Sequence, residues 1–194
     1  MCPTAPVSKC GGNDVAERMT TWESEFPQLF EPWQVPYAPV SAQFVTARPA
    51  DALIARIHVV ARTDTGVVVC RSSNGWRFLP GGTRERGEAV EQIVDRELAE
   101  EAGGRRTGAL TWIGAHRADH SGPEPYRPHL PHPVAFWAYV AADVVLEHPP
   151  TNPADGEDVV EVAVLPVAAA VVFLTPSDPI HADVLRLAEA MGLV

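Results

Sequence analysis

The sequence predicts an α/β domain. Strand-length apolar runs are separated by turn signals, one amphipathic helix interrupts them at 88–102, and a second closes the chain. With 194 residues the chain is long enough to bury a substantial core as one domain with additions. The expected organisation is a tail, helix and extended arm at 1–40, a main domain at 41–175, and a closing helix at 176–194 packed on it.

In the N-terminal part, Val15, Met19, Trp22 and Phe26 keep a three-to-four spacing, so a helix is expected up to Pro27. The following FEPWQVPYAP is expected to cross the surface as extended chain, burying Trp33 and Tyr37. Strands are expected at 41–48, 53–61, 67–71 and 76–80, with Asp64-Thr65-Gly66 and Ser73-Asn74-Gly75 as turns between them. After the helix at 88–102, two long strands are expected at 109–118 and 133–144, with a loop rich in proline and histidine between them. A last strand at 159–166 leads into the apolar AAAVVFL stretch. Asp178 then reads as a helix N-cap with Pro179 at the first position, and Ile180, Val184, Leu187 and Met191 form the buried stripe.

Composition limits the function. The formal net charge of −10 repels a nucleic-acid backbone, so no nucleic-acid partner is expected. Cys2, Cys10 and Cys70 are sparse and lack metal-ligand spacing, which points to a reducing, cytoplasmic setting rather than a disulfide scaffold. No apolar run reaches the roughly 18 residues of a membrane span, so no membrane partner is expected.

The helix at 88–102 poses a problem. On a helical wheel Val90, Ile93, Val94 and Leu98 share one arc; Glu97 and Glu101 fall inside it and Glu100 lies at its edge. Like charges four residues apart cost roughly 0.2–0.5 kcal/mol per pair. Carboxylates in the last turn oppose the helix dipole by about 0.3–1 kcal/mol each. Arg96 can offset one charge, not three. A divalent cation that prefers hard oxygen ligands, Mg2+ or Mn2+, supplies the missing partner. Upstream, Pro80-Gly81-Gly82 makes a tight turn that brings bare backbone, and a carbonyl ligand, close to this site.

The segment 82-GTRERGEAVEQIVDRELAEEAGG-104 resembles the signature of the Nudix hydrolase family, G-x5-E-x7-R-E-U-x-E-E-x-G-U, with U aliphatic. Gly82, Glu88, Arg96, Glu97, Leu98, Glu100, Glu101 and Gly103 match in register. Gly104 departs, standing where an aliphatic residue is usual. The resemblance implies an α/β/α sandwich with a mixed central sheet and hydrolysis of a nucleoside diphosphate linked to another moiety. It also implies that Glu97, Glu100 and Glu101 hold the metal with the Gly82 carbonyl, that Glu97 can orient the attacking water, and that Arg96 fixes a carboxylate. Glu88 would brace the loop with help from Gly81.

A general base outside this segment is sought among Glu124, Asp155, Glu157, Asp158 and Glu161. Substrate contacts are sought at Arg77, Arg117, Glu124, Tyr126 and Arg127, the last four in the loop region 116–133, which also carries His116, His120, His129 and His132. That loop reads as a lid or dimer contact. Zinc binding by His129 and His132 is disfavoured, because the intervening prolines prevent a helix that would aim both rings together. Trp76, Trp137 and His58 read as core residues. The substrate is expected to be a small nucleotide (a nucleotide sugar, ADP-ribose, a dinucleotide or a nucleoside triphosphate), and the N-terminal helix and arm could form a homodimer contact. The competing reading is a non-catalytic nucleotide sensor on the same fold; such modules usually carry a degraded signature, and this one is intact. An isomerase of prenyl diphosphates would need a catalytic cysteine, for which Cys70 in a strand is a poor candidate.

Overall fold

The computed structural model describes residues 22–154 and 156–194. Ten strands form one mixed sheet. The elements are helix α1 (Pro27–Phe30), strands β1 (Trp33–Gln34), β2 (Val40–Val45), β3 (Ile54–Thr63), β4 (Gly66–Ser72), β5 (Arg77–Phe78) and β6 (Gly81–Thr83), then helix α2 (Val90–Glu97). They continue with β7 (Gly104–Arg106), β8 (Thr111–His120), β9 (Val134–Leu146), β10 (Val159–Leu165), α3 (Val167–Leu174) and α4 (Pro179–Ala190). The main order is β1-β2-β8-β9-β3-β4-β10, with β5 paired to β4, β6 to β3 and β7 to β9.

The centre of the sheet is the parallel pair β3 and β9, in register from Ile57 opposite Ala138 to Ala61 opposite Ala142. Both strands are apolar on both faces because helices cover both sides, as parallel pairing requires. Alternation along β3 sorts the core into two layers. Ile57, Val59 and Ala61 face α2, where they meet Val90, Ile93, Val94 and Leu98. Val60 faces the other way, against Ala170, Val171 and Leu174 of α3 and Val184, Leu185 and Leu187 of α4. The expected α/β/α sandwich is thereby observed.

Several local expectations need correction. The first helix stops before Pro27 as expected, with residues 22–25 helical and a bend at Phe26, but Pro27 then opens a separate short helix, α1, at whose first position its missing N–H costs nothing. The remainder of that expected helix, together with Cys2 and Cys10, lies outside the described residues. In the arm, Val35 is buried and Trp33 half-buried, but Tyr37 is 82% exposed. The strand expected at 76–80 shrinks to β5, and β6 follows it, pairing Gly81 and Gly82 with His58 and Ile57. The apolar stretch after β10 is α3. In α4 the N-cap is as expected, with Asp178 accepting from the His181 N–H at 3.0 Å, but His181 and Leu185 join the buried face, while Ile180 and Met191 are only partly covered.

The loop expected to begin at 116 begins at 121, because β8 runs to His120. His116 therefore lies in the core, 1% exposed, between Phe44 and Tyr139, and takes no part in a lid. Its Nδ1 lies 3.2 Å from the Tyr139 hydroxyl, and its Nε2 is buried without a partner. Burial lowers its pKa to about 4.

That burial has a signed consequence. In the unfolded chain the ring takes a proton near pH 6.5, in the folded one only near 4, so the unfolded state binds more protons in between. Stability from this ring is complete above pH 6.5 and is lost as pH falls toward 4. Between pH 7.5 and 5 the loss is about 2 kcal/mol. Urea unfolding of His116→Phe over that range should show a shallower pH dependence than the parent by about that amount, with His58 and His181 contributing equally to both. Parallel curves would mean that the ring is already charged in the folded state.

Candidate active site

The site begins with the Gly81-Gly82 turn. β6 lies antiparallel to β3 at this point, and a Cβ on Gly81 would strike the Ile57 carbonyl, so only glycine permits the pairing. Gly82 faces the other way, and a Cβ there would collide with the Glu97 carboxylate. The turn and the end of α2 are thus in contact only because two side chains are absent.

The helix does not remain α-helical to its end. Leu98–Ala102 form a π turn, closed by the Gly103 N–H donating to the Leu98 carbonyl, with Gly103 at φ +63. A Cβ on Gly103 would strike the His148 carbonyl. The wide turn also offers the Glu101 carbonyl to the Cys70 thiol at 3.4 Å. At Gly104 the chain passes into β7, paired with Leu146 on β9, and the glycine is buried against the Leu146 side chain. An aliphatic side chain is unnecessary here because Leu146 fills that space.

Three carboxylates converge on one arginine. Arg96 donates from Nε to Glu88 Oε1 at 2.7 Å, and from Nη1 to Glu97 Oε1 at 2.8 Å and Glu100 Oε2 at 3.0 Å. Its Nη2 reaches the Thr83 carbonyl at 3.0 Å, tying helix to loop. Glu88 also accepts from the Glu85 N–H at 2.7 Å, and Arg84 donates twice to the Glu88 carbonyl. Burial alone would raise the Glu88 pKa, but the hydrogen bonds and charge of Arg96 outweigh it and hold the group low.

The other two buried carboxylates are not neutralised. Glu97 and Glu101 are 6% and 5% exposed. Burial pushes Glu97 up to about 7, against the pull of Arg96. Glu101 accepts from the Gly81 N–H at 2.7 Å, yet burial pushes it well above the usual carboxylate range, and the Glu97 charge adds to the shift. The geometry therefore contains a negative charge excess that one guanidinium does not match. Oxygen donors of Glu97, Glu100 and Glu101 beside side-chain-free Gly82 suit a hard divalent cation.

These groups line a cleft of about 250 Å3 that also receives Arg56, Thr83, Trp76, Tyr126, Arg127 and Glu157. Of the possible bases, Glu157 alone is placed on this cleft among the described residues, and its charge contributes to the raised Glu101 pKa. Asp158 does not line the cleft, and Glu161 pairs with Arg71 at 2.7 Å. Asp155 lies outside the described residues. Glu124 is exposed and lines an adjoining recess instead.

The substrate-contact expectations divide in the same way. Tyr126 and Arg127 reach the cleft. Arg77 does not: its Nη1 donates to the Phe173 carbonyl and its guanidinium lies over the Phe173 ring. Arg117 is on the exposed face of β8, paired with Asp119 at 2.9 Å. His129 and His132 each donate to a separate carbonyl, of Arg84 and Gly122. Trp76, read as a core residue, is half-buried: it stacks on Phe78 with centroids 4.2 Å apart and still borders the cleft. His58 is buried, its Nδ1 donating to the Leu79 carbonyl at 3.3 Å. Sequence reasoning missed Arg56, whose only signal was a lone charge inside an apolar strand. Thr83 was missed too; its hydroxyl accepts from Arg56 at 3.3 Å and steadies that side chain in the cleft.

Residues 52–188 match the model of the NUDIX domain family. No protein of curated function matches the sequence. Among solved structures, a Bacillus subtilis pyrophosphohydrolase is 18% identical, with 70% of this chain and 77% of that one covered at a TM-score of 0.51. A Nudix hydrolase from Nitrosomonas europaea is 15% identical, with coverages of 70% and 88% and a TM-score of 0.52. The MutT protein from Methanosarcina mazei is also 15% identical, with coverages of 72% and 94% and a TM-score of 0.50. At these identities the structures establish a shared fold. The matched segment spans most of the chain and includes the whole acidic turn with its glycines, so this chain belongs to the Nudix hydrolase family.

Proposed function

We propose that the protein hydrolyses the diphosphate link of a small nucleotide derivative with the help of Mg2+ or Mn2+. The observation that supports this reading most directly is the pair of buried carboxylates, Glu97 and Glu101, which share with Glu88 and Glu100 a single guanidinium that reaches only Glu97 of the two, facing a turn stripped of side chains. A structural ion pair would not need them. Glu97, Glu100, Glu101 and the Gly82 carbonyl would hold the ion. When bound, such an ion neutralises phosphate charge and lowers the pKa of a coordinated water.

The chain's own groups account for the rest. Arg96 fixes the orientation of Glu97 and Glu100 through one nitrogen, Nη1. Glu88 and Arg84 keep the loop closed around Arg96. Arg56, anchored by Thr83, contributes a positive charge to the lining of the same cleft and suits a phosphate oxygen. Glu157 is the carboxylate best placed to take the proton from the attacking water. Attack on one phosphorus breaks its bond to the bridging oxygen, which leaves on the other half of the substrate.

Three experiments test this. Glu101→Gln keeps an oxygen for the Gly81 N–H while removing the charge. Its fold and metal-free melting temperature should be retained, the Mg2+-induced rise in melting temperature should vanish, and kcat/KM should fall at least about a hundredfold. Unchanged turnover would refute the assignment. Gly82→Ala alters no charge, yet its methyl would displace the Glu97 carboxylate; calorimetric titration with Mn2+ should show weakened binding. Glu157→Gln should leave Mn2+ affinity near that of the parent and reduce kcat by about 10^2 to 10^4. A parental kcat in that variant would place the base elsewhere.

A further inference from the structure

We propose that the substrate carries a planar aromatic ring system at each end of its diphosphate, making it a dinucleoside diphosphate rather than a nucleotide sugar or a nucleoside triphosphate. This rests on the hydrolase reading of the acidic cleft and names what the recesses beside it would hold.

Two further recesses adjoin the cleft, and Arg56 lines all three. The first, about 290 Å3, shares Thr83 and Tyr126 with the cleft. Its walls are aliphatic and aromatic: Val35 and Tyr37 from the arm, Leu130 and Pro131 from the loop after β8, and Trp137 from β9. The second, about 330 Å3, shares His58 and Trp76 with the cleft and is enclosed by Trp33, Trp76, Trp137 and Tyr139. The two recesses also share Tyr37 and Trp137, so a phosphate pair held between Arg56 and the metal would have two adjoining aromatic-walled pockets within reach.

The polar groups in the second recess decide what can enter it. Most are already partnered: Asp178 accepts from the His181 N–H at 3.0 Å and His181 Nδ1 accepts from the Leu79 N–H at 3.2 Å, while the buried Trp33 Nε1–H is left without a partner. His58 donates to the Leu79 carbonyl. A hexose placed there would lose hydrogen bonds to water and find few in return, a cost of order 1–3 kcal/mol per hydroxyl. A nucleobase needs faces to stack on, and indole rings provide them. A further phosphate fits neither recess, since Arg56 at their junction is the only arginine or lysine lining either one among the described residues. At the rim of the first recess Tyr37 and Tyr126 are 82% and 73% exposed, large rings left open where a base would cover them. The arm supplies Trp33 and Tyr37 to this arrangement although it precedes the family-matched segment.

In the reaction, water adds to one phosphorus, the bond from that phosphorus to the bridging oxygen breaks, and the two halves leave as nucleoside monophosphates. The proton passes from water to Glu157 and on to solvent.

The test separates binding from turnover. Affinities would be measured in Mg2+ with methylene-bridged diadenosine diphosphate, whose P–C–P link resists hydrolysis, and with methylene-bridged ADP-ribose, which has one base. The two-base analogue should bind at least tenfold tighter. Tyr126→Ala, at the first recess, and Trp76→Leu, at the second, should each weaken it at least tenfold, whereas only one of them should weaken the single-base analogue. Ile180→Trp blocks the second recess from its other wall and provides an independent variant should Trp76→Leu fail to fold. Equal affinity for the two analogues, or a two-base affinity untouched by blocking either recess, would overturn the proposal. Cleavage of the parent dinucleotide is read separately: tight analogue binding without cleavage would support the two-base pocket and count against the hydrolase reading alone.

Discussion

The structure is organised around a charge imbalance held in place by Arg96. One guanidinium serves Glu88, Glu97 and Glu100, while Glu101 depends on a backbone N–H. Such a cluster would open toward water unless its supports were rigid. Those supports are the Gly-Gly turn clamped on β3, the π turn clamped by Gly103, and the loop closed by Arg84 and Glu88. Each removes a way for the carboxylates to rotate outward. The charged end of α2 is therefore held in place by its surroundings, as the proposed cation site requires.

The opposing energies explain why the helix can afford this. Burying a large aliphatic side chain contributes roughly 1.5–3 kcal/mol, and α2 with its π turn buries Val90, Ile93, Val94 and Leu98 against the central strands. The like-charge and dipole costs are each below about 1 kcal/mol. Apolar packing wins by a clear margin along the stripe, which leaves the polar end free to serve chemistry. The same division appears in α4, where apolar packing anchors the helix while His181 and Asp178, at its start, meet the second recess.

Much of the sheet was legible because apolar alternation and turn residues are local signals. The β3 and β9 strands, the N-cap of α4 and the acidic turn could all be read within about a dozen residues. What could not be read depends on neighbours distant in the chain. The π turn needs the Cys70 thiol and the His148 carbonyl beside it; nothing between 97 and 103 announces it. His116 fell in the overlap of the strand expected at 109–118 and the loop expected from 116, and pairing with β2 carries β8 past it to His120. Arg77 and Arg117 looked like phosphate ligands because arginine near a diphosphate site usually is one; α3 and Asp119 take them instead. Arg56 was overlooked for the converse reason, since its surroundings in sequence are those of a buried strand.

These differences follow a pattern. The groups proposed to hold the metal come from one contiguous segment, so their spacing survives as a readable signature. The groups that border the rest of the cleft come from the arm, β3, the loop after β8, the segment at 153–157 and the start of α4. No periodicity links them, and each is an ordinary residue in its own context. Their shared position depends on β3, whose outward-facing Arg56 lies where the acidic cleft and both aromatic-walled recesses meet. Because β3 also pairs with the Gly-Gly turn, any substitution that shifts this strand moves the arginine and the turn together. The proposed recognition and the proposed chemistry would therefore be coupled mechanically through one central strand, although they are encoded in separate parts of the chain.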